Sequence, residues 1–274
     1  MMLSMLAALM GAGIPAGLPP SCGALPGIEQ LLDRPDFNYL LIGEYHGTAE
    51  MPAVAADALC AGAKAGRPLI LGLEFPPANQ PYLDAYLSSD GGEAARTALL
   101  VAPAWHAAED ARVTHAVLAL IDRARLLASR GYKVSAVAFD KIPQPLISKE
   151  REAGMAELLT AAQRKVPGSL VVALTGTGHA DKEGWTSQNP PFLAAGGILP
   201  PRETVSLAFA RPGGQYWGCQ SPGGEANGCK AYDMAVREAV RPRGIVLDPA
   251  LRGGFDGLYS TGGQYTASLP ALSK

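Results

Sequence analysis

The 274-residue chain is 48% hydrophobic and 18% charged, which is enough apolar content for one sizeable core, and its formal net charge is −2. That balance leaves no basic footprint for nucleic acid, and 7% aromatic content leaves no stacking platform for single strands. The 32 glycines and 23 prolines follow no period, so they read as turns rather than as collagen or low complexity.

Residues Met1 to Leu18 are apolar and uncharged, with small residues toward Gly17. The run is too short and too broken by Gly and Pro for a membrane span, and its form is that of a secretory signal peptide without a basic n-region. The expectation is a signal peptide or disordered N-terminus over residues 1–22, then a single α/β domain over 23–274 with no transmembrane segment in the mature chain. The destination is the periplasm or the medium.

Asn38 to Glu50 reads NYLLIGEYHGTAE. The unbroken run Tyr39 to Ile42 into Gly43 is the pattern of a strand buried on both faces, as in a parallel sheet. Glu44 and His46 then fall just past the strand, at the carboxyl edge where open α/β folds build their sites. Thr48 or Glu50 caps a helix from about Met51 to Ala65, ended by Gly66. A second strand, Pro68 to Leu73, runs into Glu74, and Pro76-Pro77 force a loop after it. Short helices follow over Asn79 to Leu87 and up to about Leu100, and Pro103 to His106 interrupt the pattern.

The longest helix is expected from about Ala107 to Arg130, with Val113, Val117, Leu120, Ile121 and Leu127 on its apolar side and Arg112 and His115 on another face. A third strand, Lys133 to Phe139, ends in Asp140. Ile147 to Lys165 reads as a charged amphipathic helix capped by Ser148. A fourth strand, Ser169 to Leu174, ends in Thr175-Gly176-Thr177-Gly178-His179 and so repeats the Gly-x-x-His of Gly43 to His46. Beyond residue 190 the chain turns β-rich: Glu203 to Ala210, Gln215 to Cys219, Gly244 to Leu247 and Gln264 to Leu269 look like short strands, with helix around Ala231 to Val240. This stretch is either the far half of the same sheet or an antiparallel extension of it.

If the first four strands are parallel neighbours, Glu44, His46, Glu74, Asp140 and His179 meet on one edge. Two chemistries suit that set. In one, His46 is a general base on water, its other ring nitrogen held by Glu44 or Glu74, while His179 polarises the electrophile or protonates the leaving group. In the other, His46, His179, Glu44, Glu74 and Asp140 supply ligands to a divalent metal that keeps a position open for water. Both hydrolyse a polar bond in a small-molecule substrate. His115 belongs on a solvated face, and His106 either lines the pocket or packs locally. Neither a Gly-x-Ser-x-Gly elbow nor a Cys beside a His is present, and Thr175 to Gly178 lacks the lysine and the glycine spacing of phosphate loops. Cys219 and Cys229 bracket a Gly/Pro/Asn segment that must turn back on itself; a disulfide there stabilises by ~2–3 kcal/mol in the chain-entropy model and suits an oxidising compartment. Cys22 and Cys60 form a second candidate pair.

Gly43-Glu44-Tyr45-His46-Gly47-Thr48, Leu73-Glu74-Phe75 and Gly176-Thr177-Gly178-His179, in that order and each after a strand, resemble the superfamily of the Tiki/TraB proteins, the ChaN-like haem-uptake proteins and the erythromycin esterases. The resemblance spans Tyr39 to Ala180. It implies a largely parallel central sheet flanked by helices, with a pocket at the strand ends. The Tiki branch implies a metal-dependent hydrolase and the esterase branch an ester- or lactone-cleaving one, although the latter carries one more residue between Glu and His than Glu44-Tyr45-His46. The ChaN-like branch shares the spacing seen here and implies haem or metal binding without turnover. Tyr45 is a candidate haem ligand only if it turns toward the pocket, and strand alternation relative to Glu44 and His46 points it away.

Overall fold

The computed structural model describes residues 17–106, 111–141, 147–220, 228–248, 250–251 and 253–272. Its centre is a sheet of seven strands in the order β3-β2-β4-β1-β5-β9-β8. These strands are β1 (Tyr39–Glu44), β2 (Leu69–Leu73), β3 (Val134–Ala138), β4 (Leu170–Gly176), β5 (Thr204–Phe209), β8 (Gly244–Leu247) and β9 (Gly257–Ser260). Every pairing is parallel except β8 with β9. The remaining two strands, β6 (Gly214–Cys219) and β7 (Cys229–Met234), form a separate antiparallel hairpin.

Continuous apolar runs make the central strands because both sheet faces are covered. All six residues of β1 and all five of β2 are buried. In chain order the helices are α1 (Glu29–Leu32), α2 (Glu50–Lys64), α3 (Gln80–Leu87), α4 (Glu93–Leu100), α5 (His115–Ser129), α6 (Lys149–Lys165), α7 (Thr177–Ala180) and α8 (Ala195–Ile198). Leu40, Ile42, Leu71 and Val172 point into one core with α2 and α5, whereas Tyr39, Leu41, Ile70 and Val171 point into the other with α6. The alternation along each strand splits one apolar run between two layers.

The strand order sets the site. From β1 the chain passes over to β2 and β3, returns to fill the gap between β1 and β2 with β4, and then crosses to β5 on the far side of β1. Ligands in open α/β sheets bind where the winding reverses, outside the carboxyl ends of the strands. Here the register levels those ends: Glu44 lies opposite Gly176, and Leu73 lies opposite both Leu174 and Ala138.

Several sequence expectations shift. Helix α5 begins at His115, with the Thr114 side chain as its cap, so Arg112 lies before the helix and is not on its face; residues 107–110 lie outside the described residues. Strand β4 runs on through Gly176, and His179 sits in the one-turn α7. The segment expected as helix around Ala231 to Val240 starts instead with strand β7, because Cys229 pairs in register with Cys219 and draws the chain into a hairpin. Gln264 to Leu269 makes only isolated bridges, among them Tyr265 with Gly214 and Ala267 with Thr48, and β9 takes the place in the sheet. The C-terminal stretch is therefore both continuation and extension: β5 and β9 prolong the parallel sheet, while β8 and the hairpin are antiparallel. The expected signal peptide falls on residues of which 1–16 lie outside the described set. Among the described residues no helix is long and apolar enough to cross a membrane.

The four cysteines form Cys22–Cys60 and Cys219–Cys229. The second closes the hairpin that walls the site. Replacing Cys219 and Cys229 together by Ser should lower unfolding free energy by about 2–3 kcal/mol, read from urea titration of the oxidised wild type beside the variant.

Candidate functional site

Four adjacent strands deliver the ionisable residues to one edge. Glu44 ends β1, Glu74 follows β2, Asp140 follows β3, and Thr175 and Gly176 end β4. The backbone carries His46 two residues past Glu44, and α7 carries His179 back over the same edge. All five residues predicted from sequence are brought together. Neither His106 nor His115 joins them; both are exposed.

Glu74 is the centre. Its Oε2 accepts from the Thr175 hydroxyl and the Gly176 amide, both at 2.7 Å. Its Oε1 accepts from Arg112 Nη1 at 3.0 Å and from Arg151 Nη2 at 3.2 Å. His46 Nε2 stands 3.8 Å from Oε2 and His179 Nε2 stands 3.7 Å from Oε1, so an imidazole flanks the carboxylate on either side just beyond hydrogen-bond distance. Each ring is held from behind. His46 Nδ1 lies 2.9 Å from Glu44 Oε1, and His179 Nδ1 lies 2.7 Å from Glu152 Oε1. Assigning the ring protons from these contacts puts Nδ1–H on the backing carboxylate and turns Nε2 toward Glu74.

Arg112, Arg151 and Glu152 are not among the site residues expected from sequence. Arg151 and Glu152 sit in the first turn of α6, positioned by Ser148, whose hydroxyl accepts from the Arg151 amide. Arg151 holds Asp140 through Nε and Nη2, both at 2.8 Å, and Arg112 Nη1 adds a third contact at 2.8 Å. Asp140 is thus a clamp for the two guanidinium groups. Glu152 is fully buried and accepts from Trp185 Nε1 and the Ala195 amide as well as facing His179.

Burial taxes every charge here, and neighbours decide the outcome. For His46, burial pushes the imidazolium pKa down, but the Glu74 and Glu44 charges and the Glu44 hydrogen bond outweigh it and raise the pKa to about 9. For Glu74, burial pushes up, while His46, His179, Arg112 and the Gly176 amide hold the carboxyl well below the ordinary range. At neutral pH Glu74 is therefore a fixed anion with its lone pairs engaged.

His46 is the reachable member, its side chain 29% exposed against 9% for His179. It opens on a cleft of about 500 Å³ whose other walls include Glu44, Tyr45, Thr177, Tyr216 and Trp217. Tyr45 therefore lines the cleft, contrary to strand alternation: β1 ends at Glu44, and past it the chain no longer alternates. The hairpin wall is fixed to the His46 loop, with the Trp217 amide donating to the Gly47 carbonyl at 2.8 Å. Gly47 has φ +86°, and a Cβ there would stand 1.9 Å from the Trp217 carbonyl oxygen, so only glycine permits this approach. Gly176 has a comparable role at the floor, since a Cβ would press to 3.1 Å from His46 Nε2.

A divalent metal fits these residues poorly. The oxygens of Glu74 and Asp140 are taken by two guanidinium groups, a hydroxyl and an amide, and the positive charge that a metal would supply is already built in. Among the described residues no group of three or more His, Cys, Asp and Glu is disposed to hold a metal ion.

Solved structures share the architecture. A succinoglycan biosynthesis protein superposes with a TM-score of 0.63 at 11% identity, over 89% of this chain and 91% of its own. A Bacillus cereus protein gives 0.61 at 12%, over 94% and 96%. A mutant of the erythromycin esterase EreC in its open conformation gives 0.55 at 11%, over 89% and 93%. At such identities the likeness is one of fold: this chain has the α/β architecture that an erythromycin esterase also uses, with the largely parallel sheet the motif resemblance implies. No protein-family model matches the chain, and no curated protein matches it significantly.

The raised His46 pKa links the site to stability. Its contribution is fully present below the ordinary pKa of 6.5 and is lost as pH rises through about 9. Thermal unfolding scanned from pH 6 to 10 should show stability falling across that window, and the fall should be largely absent in His46→Ala.

Proposed function

We propose that the chain is an exported hydrolase that adds water to an ester, lactone or amide bond of a small molecule bound over His46. The observation that carries this reading is the His46 imidazole, fixed at Nδ1 by the buried Glu44, partly exposed and lining an open cleft. The erythromycin esterase among the proteins of like fold supports it. The two disulfides suit a periplasmic or extracellular setting.

In this scheme the neutral imidazole takes a proton from a water at Nε2, and the resulting hydroxide adds to the carbonyl carbon. The proton then passes from Nε2 to the departing oxygen or nitrogen, which leaves the ring neutral again. Glu44 holds the tautomer and stabilises the imidazolium formed on the way. Glu74, already committed as an anion, stabilises the same imidazolium from the other side and is not itself a base. His179 does not line the cleft, so its part is to keep the far side of Glu74 in place, with Glu152 behind it. Arg112 and Arg151 neutralise Glu74 and Asp140, which lets two carboxylates remain charged under burial.

A base with a pKa of about 9 is only about one part in a hundred deprotonated at pH 7. For a panel of chromogenic esters, lactones and anilides, kcat/KM should therefore rise with pH and reach half its plateau near pH 9. Glu44→Gln removes a charge and a hydrogen bond that raise the His46 pKa, so the rising limb should move to lower pH while the plateau drops. His46→Ala should lose about 10²–10⁴-fold with circular dichroism unchanged. A His46→Ala protein that keeps its rate, or a wild type that cleaves no member of the panel, ends this assignment.

A further inference from the structure

A second cavity, of about 220 Å³, lies behind the wall of the first. The two share Tyr45 and Tyr216, whose rings meet edge to face at 4.5 Å. Phe209 completes an aromatic floor, its ring 6.5 Å from that of Tyr45. Two arginines stand at this floor. Arg211 carries its guanidinium carbon 5.3 Å above the Phe209 ring, and Arg237 is brought alongside by its amide, which donates to the Arg211 carbonyl at 2.9 Å.

The charges around them are unevenly committed. Among the described residues neither guanidinium has an ion-pair or hydrogen-bond partner. Asp233, the acidic residue of the lining, accepts from Gln215 Nε2 at 3.0 Å. Glu238 is occupied by the Arg211 amide at 2.7 Å and by Arg241 at 2.6 Å. The cavity thus offers two unspent guanidinium forks beside flat apolar faces.

Building on the hydrolase reading, we infer that this cavity is a substrate subsite that receives an aromatic carboxylate, bound by Arg211 and Arg237 with its ring against Phe209, Tyr45 and Tyr216. Guanidinium matches a carboxylate in a bidentate fork, and the rings accept a planar body by stacking or edge contact. The volume is that of a single carboxylated ring and falls short of a drug-sized ligand. Because the Tyr45–Tyr216 pair walls both cavities, a substrate lying across it places its anionic end at the arginines and its scissile bond over His46. Arg211 and Arg237 are then specificity-determining and take no part in the chemical step.

The experiment uses the full mature chain, the double variant Arg211→Gln/Arg237→Gln and each single variant, with folding checked by circular dichroism. Two 4-nitrophenyl esters serve as substrates; one carries an aromatic carboxylate at the far end of its acyl group, and the other carries the methyl ester of that carboxylate. The ratio of their kcat/KM values should favour the carboxylate in the wild type and fall about 10- to 100-fold in the double variant. Benzoate binding followed by calorimetry, which needs no turnover, should weaken at least about 10-fold in the same variant. A wild type that does not discriminate between the esters, together with benzoate affinity indifferent to the two arginines, overturns the subsite and leaves the hydrolase standing. Arginine-dependent benzoate binding by a protein that cleaves neither ester supports the subsite and removes the hydrolase.

Discussion

Glu74 imposes the constraint on which the site depends. A carboxylate buried at the junction of β2 and β4 is tolerable only if its charge is answered, and the fold answers it with a hydroxyl, an amide, two guanidinium groups and two imidazoles drawn from five elements of the chain. Each partner then needs its own support. Arg112 and Arg151 are held by Asp140, His46 by Glu44, and His179 by Glu152, which in turn takes a tryptophan N–H and a backbone amide. One buried anion thus organises a network in which few lone pairs are idle and the ring orientations are fixed before any ligand arrives.

This arrangement separates two roles that the sequence leaves merged. Glu44, Glu74 and Asp140 look interchangeable as carboxylates at strand ends. In the folded chain they differ by what surrounds them: Glu44 meets an imidazole that reaches the cleft, Glu74 is saturated, and Asp140 is locked between guanidinium groups. The chemistry open to each follows from its neighbours and not from its residue type. The same logic argues against a shared cation at the centre, since the positive charge comes from the chain itself.

How much was legible in sequence varies with how local the determining interactions are. The four largely apolar runs specify parallel strands, and a residue at or just past the end of such a strand has nowhere to go but the carboxyl edge; this is why Glu44, His46, Glu74 and Asp140 are legible as one cluster. Arg151 and Glu152 were not visible because they lie in a helix whose overall pattern is charged and amphipathic. The one available signal was an Arg-Glu pair in the first turn after the Ser148 cap, where a side chain can reach over the strand ends. The segment from Ala231 carries helix-favouring residues, yet the Cys219–Cys229 register overrides that local preference, and β9 is four residues in a glycine-rich stretch with no period to detect. Tyr45 departs from the alternation of β1 because the strand ends one residue before it.

Gly47 and Trp217 have a consequence for how a ligand enters. The hairpin meets the His46 loop backbone to backbone at a point where even a methyl group has no room, so wall and imidazole are carried as one rigid piece. Forming a complex then requires little ordering of the protein, and the entropy lost falls mainly on the small molecule. Association of a small molecule should accordingly be limited by diffusion and desolvation and not by a slow closing step.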